Sequence, residues 1–138
     1  MNCYVDSSVV LRYLLTGDNG LFGIEEFEKT GSSELLFIEC IRVLHRYRLN
    51  GKLTDQQLQE AITHFHEIYD SFHIFDMAPQ VKKRAAGPFP TTVGTLDALH
   101  ISTAILWSEQ AQEPLVIFTY DEQMRTCAGA MGVHVLPG

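Results

Sequence analysis

Apolar residues along this chain recur with two different periods, and the switches between them mark out its elements. Residues 2 to 5, NCYV, form a short apolar run closed by Asp6-Ser7-Ser8, which predicts a buried strand feeding a helix N-cap. SSVVLRYLLTG predicts a short helix closed near Gly17. The segment GLFGIEEFEKTGSS predicts a short helix at about residues 23 to 30 and a Gly-Ser break, with room for a brief strand before the next helix. Leu36, Cys40, Val43, Leu44 and Tyr47 then recur at three-to-four spacing, predicting a helix over residues 34 to 48 that Ser32 or Ser33 can cap. Asn50-Gly51 is a turn signal, and Thr54 with Gln57 makes a capping-box pattern opening a helix at about residues 55 to 70.

Beyond that helix, FHIFDM (residues 72 to 77) alternates as a strand, and residues 78 to 86 read as a helix stopped by Gly87-Pro88. GPFPTTVG is a loop, and TLDALHISTA opens a helix at about residues 95 to 111. LVIFTYD holds a continuous apolar strand, residues 115 to 119; DEQMRTCAGAMG is a helix and VHVL a last strand. Strands alternating with helices predict an α/β fold, a parallel sheet with helices on both faces. No internal repeat or linker interrupts the pattern, so residues 1 to 138 are expected to form a single domain.

Composition narrows the function classes. With 46% hydrophobic and 20% charged residues the chain is neither disordered nor fibrous. It has no apolar run of about 18 residues, and MNCYVDSS has neither the basic start nor the long apolar stretch of a signal peptide, so a cytoplasmic protein without a membrane partner is expected. Cys3, Cys40 and Cys127 are scattered and never in CxxC spacing, which points to reduced core thiols rather than disulfides or a zinc site. The net charge of −7 argues against a general nucleic-acid binder. Two local basic clusters stand against that balance: Arg42, Arg46, Arg48 and Lys52, and the run Lys82-Lys83-Arg84. Either is a solvated helix face or a rim that contacts phosphates.

The acids fall in a more specific pattern. In open parallel sheets ligands sit outside the carboxyl ends of the strands. Asp6 follows the first strand directly and Asp121 stands two residues after Thr119 at the end of an equivalent one. Asp97 lies in the first turn of a helix, and Glu39 lies one turn inside another, among Phe37, Ile38, Cys40 and Ile41. Each has an ordinary explanation: Asp6 and Asp121 as helix caps, Asp97 as a complement to the helix dipole, Glu39 paired with Arg42 three residues on. The repetition carries more weight, since two strand ends and two helices each deliver a carboxylate toward one side. A cation would offset their repulsion, and oxygen-only ligands suit Mg2+ or Mn2+ rather than zinc. His100, one turn beyond Asp97, either orients a carboxylate or substrate or is a packed structural histidine. Phe65, Tyr69 and Phe72 read as core or dimer surface rather than a base-stacking platform.

Four segments in order, VDSSVVLRYLL, SSELLFIECIRVLHRY, TLDALHISTA and TYDEQMRTCAGAMGVHVLPG, make the chain resemble the PIN-domain ribonucleases, specifically the VapC-type toxins of toxin–antitoxin pairs. The resemblance implies a three-layer α/β/α PIN-like fold with a mainly parallel sheet, Mg2+- or Mn2+-dependent endoribonuclease activity, a homodimer and a cognate antitoxin. It places the family's acidic quartet on Asp6, Glu39, Asp97 and Asp121, with Asp6, Asp97 and Asp121 as metal ligands. Thr119 matches a supporting hydroxyl position, and Ser7 and His100 are further supporting candidates. Two departures stand out: Gly94 and Thr95 precede LDA where many relatives have a basic residue, and Glu34 occupies a position often held by a small residue, leaving open which glutamate points inward.

The expected reaction is hydrolysis of RNA phosphodiester bonds, with Arg42 and Arg46 as candidate RNA contacts. Two rivals remain open from sequence: a catalytically silent PIN-like module that binds RNA or protein, and a nuclease directed at DNA.

Overall fold

A computed structural model describes the backbone of residues 1–138 and every side chain except those of residues 19, 21 and 22. Among the described residues, five parallel strands form one sheet in the order β3-β2-β1-β4-β5. The strands are β1 (Asn2–Val5), β2 (Thr30–Ser33), β3 (His73–Phe75), β4 (Leu115–Phe118) and β5 (His134–Leu136). The helices are α1 (Ser7–Thr16), α2 (Leu35–Leu49), α3 (Asp55–Ser71), α4 (Pro79–Ala85), α5 (Thr95–Ala111) and α6 (Glu122–Ala130), with a 3-10 helix at Asn19–Glu26.

Strand alternation divides the core into two layers of side chains. Cys3 and Val5 of β1 pack with Val9, Val10, Leu36, Cys40 and Phe65, beneath α1, α2 and α3. Tyr4 points to the other face and packs with Ile101, Ala104, Trp107, Ile117, Met124 and Cys127, beneath α5 and α6. The result is the three-layer α/β/α arrangement. Phe65 is fully buried, with Tyr69 and Phe72 packed against the first layer, and the three cysteines are buried free thiols.

Local signals account for most of the boundaries. Gly17 closes α1 in the left-handed conformation, and Thr54 and Gln57 form the reciprocal capping box of α3. The region between α1 and α2 departs from expectation. Its helix is of 3-10 type and starts earlier, and the Gly-Ser segment expected as a break is itself β2, TGSS, paired on both sides. Small residues are needed there: a Cβ on Gly31 would stand 2.9 Å from the His73 carbonyl oxygen and 2.9 Å from the Trp107 ring. Gly31→Ala is therefore expected to destabilise the fold by about 1–3 kcal/mol through overpacking. A urea midpoint equal to that of the parent would show that α5 does not press on β2 there.

The positioning of function follows from the strand order. From β1 the chain builds outward to β2 and β3 in one direction and to β4 and β5 in the other, so β1 and β4 flank the point where the winding reverses. Val5 pairs with Phe118, which sets the next residues, Asp6 and Thr119, side by side at the carboxyl edge.

Candidate acidic site at the carboxyl edge of the sheet

Asp6 is only 3% exposed. It occupies the N-cap position of α1, but its side chain makes no cap bond to that helix. The two carboxylate oxygens are taken up instead by hydroxyls: Ser8 Oγ donates to Oδ1 at 2.6 Å and Thr119 Oγ1 donates to Oδ2 at 2.6 Å. Burial raises the Asp6 pKa, and the two hydroxyls and His100 oppose that rise. A buried carboxylate at a strand end, held chiefly by two hydroxyls with the Val9 backbone N–H of α1 also favouring its ionised form, is a fixed oxygen donor presented at the reversal point.

Thr119 also accepts from the backbone N–H of Asp121 at 3.0 Å, tying Asp6 to the next acid. Asp121 does cap a helix, accepting from the Met124 N–H at 2.9 Å through Oδ1. Its carboxyl also meets that of Asp97, which projects from the first turn of α5. Burial, then Asp121, then Asp6 push the Asp97 carboxyl up to about 6, with His100 opposing. A helix N-terminus favours an anion by only about 0.3–1 kcal/mol, so at this position burial and crowding outweigh the dipole. Asp97 is thus more than a dipole complement: it is an acid whose ionised form burial and its acidic neighbours disfavour and a cation would relieve.

Glu39 does not pair with Arg42. Its Oε1 lies 2.6 Å from His100 Nε2, and its Oε2 accepts from Ser7 Oγ at 3.4 Å. His100 Nδ1 in turn lies 2.6 Å from the Tyr4 hydroxyl. The imidazole is 1% exposed; burial disfavours its charged form, but Glu39, Asp6 and Asp97 together raise its pKa. Glu34 is held elsewhere, accepting the Met77 N–H at 2.6 Å, so Glu39 is the inward glutamate. Arg42 and Arg46 are exposed on the stripe of α2 that begins at Glu39, and among the described residues neither makes an ion pair. Arg84, by contrast, is committed to Glu109 through two hydrogen bonds of 3.0 Å.

Two contributors escaped the reading of the sequence. Ser8 reads in the sequence only as part of the Asp6-Ser7-Ser8 start of a helix, yet it binds Asp6 and accepts the Tyr120 N–H. Tyr4 looked like a core residue of β1. The available signal was its position two before Asp6, which puts both on the α5 side of the sheet.

Could this cluster take a divalent ion? Among the described residues, no three His, Cys, Asp or Glu side chains already stand as a preformed cage. The chemistry of the donors nevertheless fits: Asp97 and Asp121 are in contact, Asp6 is near enough to raise the Asp97 pKa, and the three acids supply oxygen alone.

A family model described as the PIN domain matches residues 3–130. The chain belongs to the PIN-domain family. No curated protein matches it. Among solved structures, this PIN domain is similar to PAE2754 from Pyrobaculum aerophilum, with 16% identity, a TM-score of 0.60 and coverage of 99% of this chain and 92% of that one. It is also similar to VapBC2 from Rickettsia felis bound to a DNA fragment from their promoter, at 12% identity, TM-score 0.66 and coverage of 98% and 97%. A third is a toxin–antitoxin complex from Klebsiella pneumoniae, at 16% identity, TM-score 0.62 and coverage of 95% and 94%. At these identities the likeness is one of fold.

Proposed function

We propose that this PIN domain is a Mg2+- or Mn2+-dependent endoribonuclease and the toxin of a type II toxin–antitoxin pair. The observation that carries the reading is the meeting of Asp97 and Asp121 beside buried Asp6 where the sheet reverses its winding. Family membership and the toxin–antitoxin complexes among the structural neighbours support it. Ile38 and Leu96 are 58% and 48% exposed, and each adjoins a site acid, Glu39 or Asp97. An antitoxin segment would cover these apolar flanks together with the acids. A homodimer acting in the cytoplasm completes the reading; no helix among the described residues is long and apolar enough to cross a membrane.

A divalent cation, when bound, supplies the charge that polarises the scissile phosphate and lowers the pKa of a nearby water. Asp6, Asp97 and Asp121 would hold it. Ser8 and Thr119 fix Asp6 and favour its ionised form against burial by donating to both its oxygens. Glu39, outside that trio, receives a proton.

The test is cleavage of single-stranded RNA and DNA of one sequence by purified protein, with Mg2+ or Mn2+ and with EDTA. Metal-dependent cleavage of RNA alone is expected. DNA cleavage would favour the DNA-directed rival, and binding without cleavage the silent module.

The same assay examines docking. Arg42 and Arg46 follow Glu39 by three and seven residues, so at 1.5 Å per helical residue they lie roughly 5 and 10 Å along α2 from it. That is the reach of neighbouring phosphates. The double variant Arg42→Gln, Arg46→Gln is expected to raise KM several-fold with little change in kcat, and to lower the salt slope by about one to two counterions. An unaltered KM and salt slope would assign these arginines to solvent.

A further inference from the structure

The chain Tyr4–His100–Glu39 has a geometry that neither capping nor packing requires. The phenol on β1 and the carboxylate on α2 come from opposite faces of the sheet, and the imidazole of α5 bridges them with contacts of 2.6 Å on each side. One imidazole nitrogen must serve each partner. With the phenol donating to Nδ1, the ring proton is placed on Nε2, where it donates to Glu39 Oε1. The other oxygen, Oε2, has only the long 3.4 Å contact from Ser7, and Glu39 keeps 16% side-chain exposure while His100 has 1%.

Resting on the nuclease reading above, we propose that Tyr4 and His100 are positioning residues that commit one oxygen of Glu39 to the protein and leave the other to accept a proton from the attacking water, so that Glu39 is not a metal ligand. The division of labour follows from the hydrogen bonds. A glutamate with one oxygen fixed to a buried ring cannot swing or bind an ion through both oxygens, but its second oxygen is free to give up a weak hydroxyl contact. In the step it serves, the water oxygen bonds to phosphorus and one water proton passes to Oε2. The bond from phosphorus to the leaving oxygen breaks, and that oxygen takes a proton from solvent.

The test compares His100→Leu, His100→Gln and Tyr4→Phe with the parent. His100→Leu is expected to lower kcat about 10- to 100-fold, the usual range for losing a partner that orients a functional group. KM for RNA and the affinity for Mn2+, measured by calorimetry, should stay within about threefold, because the interaction lost serves the chemical step alone. His100→Gln restores an N–H donor near Nε2 and should recover most of the loss. Tyr4→Phe keeps the ring packed and should lower kcat in the same sense, which serves if His100→Leu fails to fold. An unchanged kcat in Tyr4→Phe and His100→Gln together with His100→Leu, or a loss of Mn2+ affinity that saturating metal reverses, would overturn the proposal, the latter by making Glu39 a ligand. Nitrogen-15 NMR of His100 supplies an arm that needs no activity: a proton on Nε2 is expected, and its absence overturns the relay. If the parent cleaves no RNA, the nuclease reading fails by itself, and the NMR arm still decides whether His100 holds Glu39.

Discussion

Asp97→Asn is expected to reduce metal-dependent RNA cleavage by at least about 10²-fold, comparable to losing a single strong electrostatic contact to the transition state, and to make the metal-free protein more stable. Two opposite effects from one substitution follow from the position of the residue. Asparagine has nearly the same shape, so α5 and its first turn should be undisturbed. What disappears is a charge that burial, Asp121 and Asp6 all oppose. Above pH 6 that opposition is a standing cost to the empty protein, about 1–2 kcal/mol once its partial exposure is allowed for. A residue kept only for structure would show activity and stability falling together. Cleavage rates and urea midpoints measured on matched samples at pH 7.5 decide the matter. Parental cleavage by the variant would sink the assignment of Asp97 to the reaction, and a lower midpoint would show that the carboxylate stabilises the fold instead.

What could be read in the sequence depended on how far apart in the chain the deciding partners lie. Helix α5 was placed at Thr95–Ala111 because its own residues carry the signal, and α3 announced itself through a local capping box. The alternation of strands and helices sufficed for the parallel sheet. Strand β2 was obscured because Gly and Ser have little preference for strands; it exists because β1 and β3 pair with it, and its small side chains make room for Trp107. The same reasoning applies at the acidic edge. The spacing of Asp6 and Asp121 after strands put them on one side. The roles of Tyr4 and Ser8 involve partners 96 and 112 residues away, and Glu39 meets a histidine 61 residues on rather than the arginine three residues on. Local spacing favours the i+3 pairing, but an exposed helix pair is worth only about 0.2–0.5 kcal/mol, less than a charge-assisted hydrogen bond to a buried ring at about 1.5–3 kcal/mol.

Without divalent metal the acidic edge should behave as a proton-binding site, which the metal converts. Asp97 titrates in the folded protein near 6 against 3.8 for the free side chain, Asp6 is raised by burial, and His100 is raised by its carboxylate neighbours despite burial. All three shifts have the same sign. For an acid with a raised folded pKa, stability is fully present below the unfolded value and is lost as pH climbs through the folded one; a histidine with a raised pKa likewise loses its contribution as pH rises beyond 6.5. The metal-free protein is therefore expected to weaken between about pH 4 and 6 as Asp97 ionises, and further above pH 6.5 as His100 loses its proton. A divalent ion competes with those same protons. At a concentration about 100 times its dissociation constant it should add about 2.7 kcal/mol, a rise in Tm of roughly 5–10 °C for a chain of this size. That rise should be present at pH 8 and much smaller at pH 4, where Asp97 is protonated. It should also be absent from the Asp97→Asn, Asp121→Asn double variant, whose own stability should be flatter over the acidic range. Scanning calorimetry with Mn2+ or EDTA at pH 4, 6 and 8 gives the comparison. A metal-induced rise of equal size at all three pH values would place the ion away from these acids, and no rise at pH 8 would remove Asp6, Asp97 and Asp121 as its ligands.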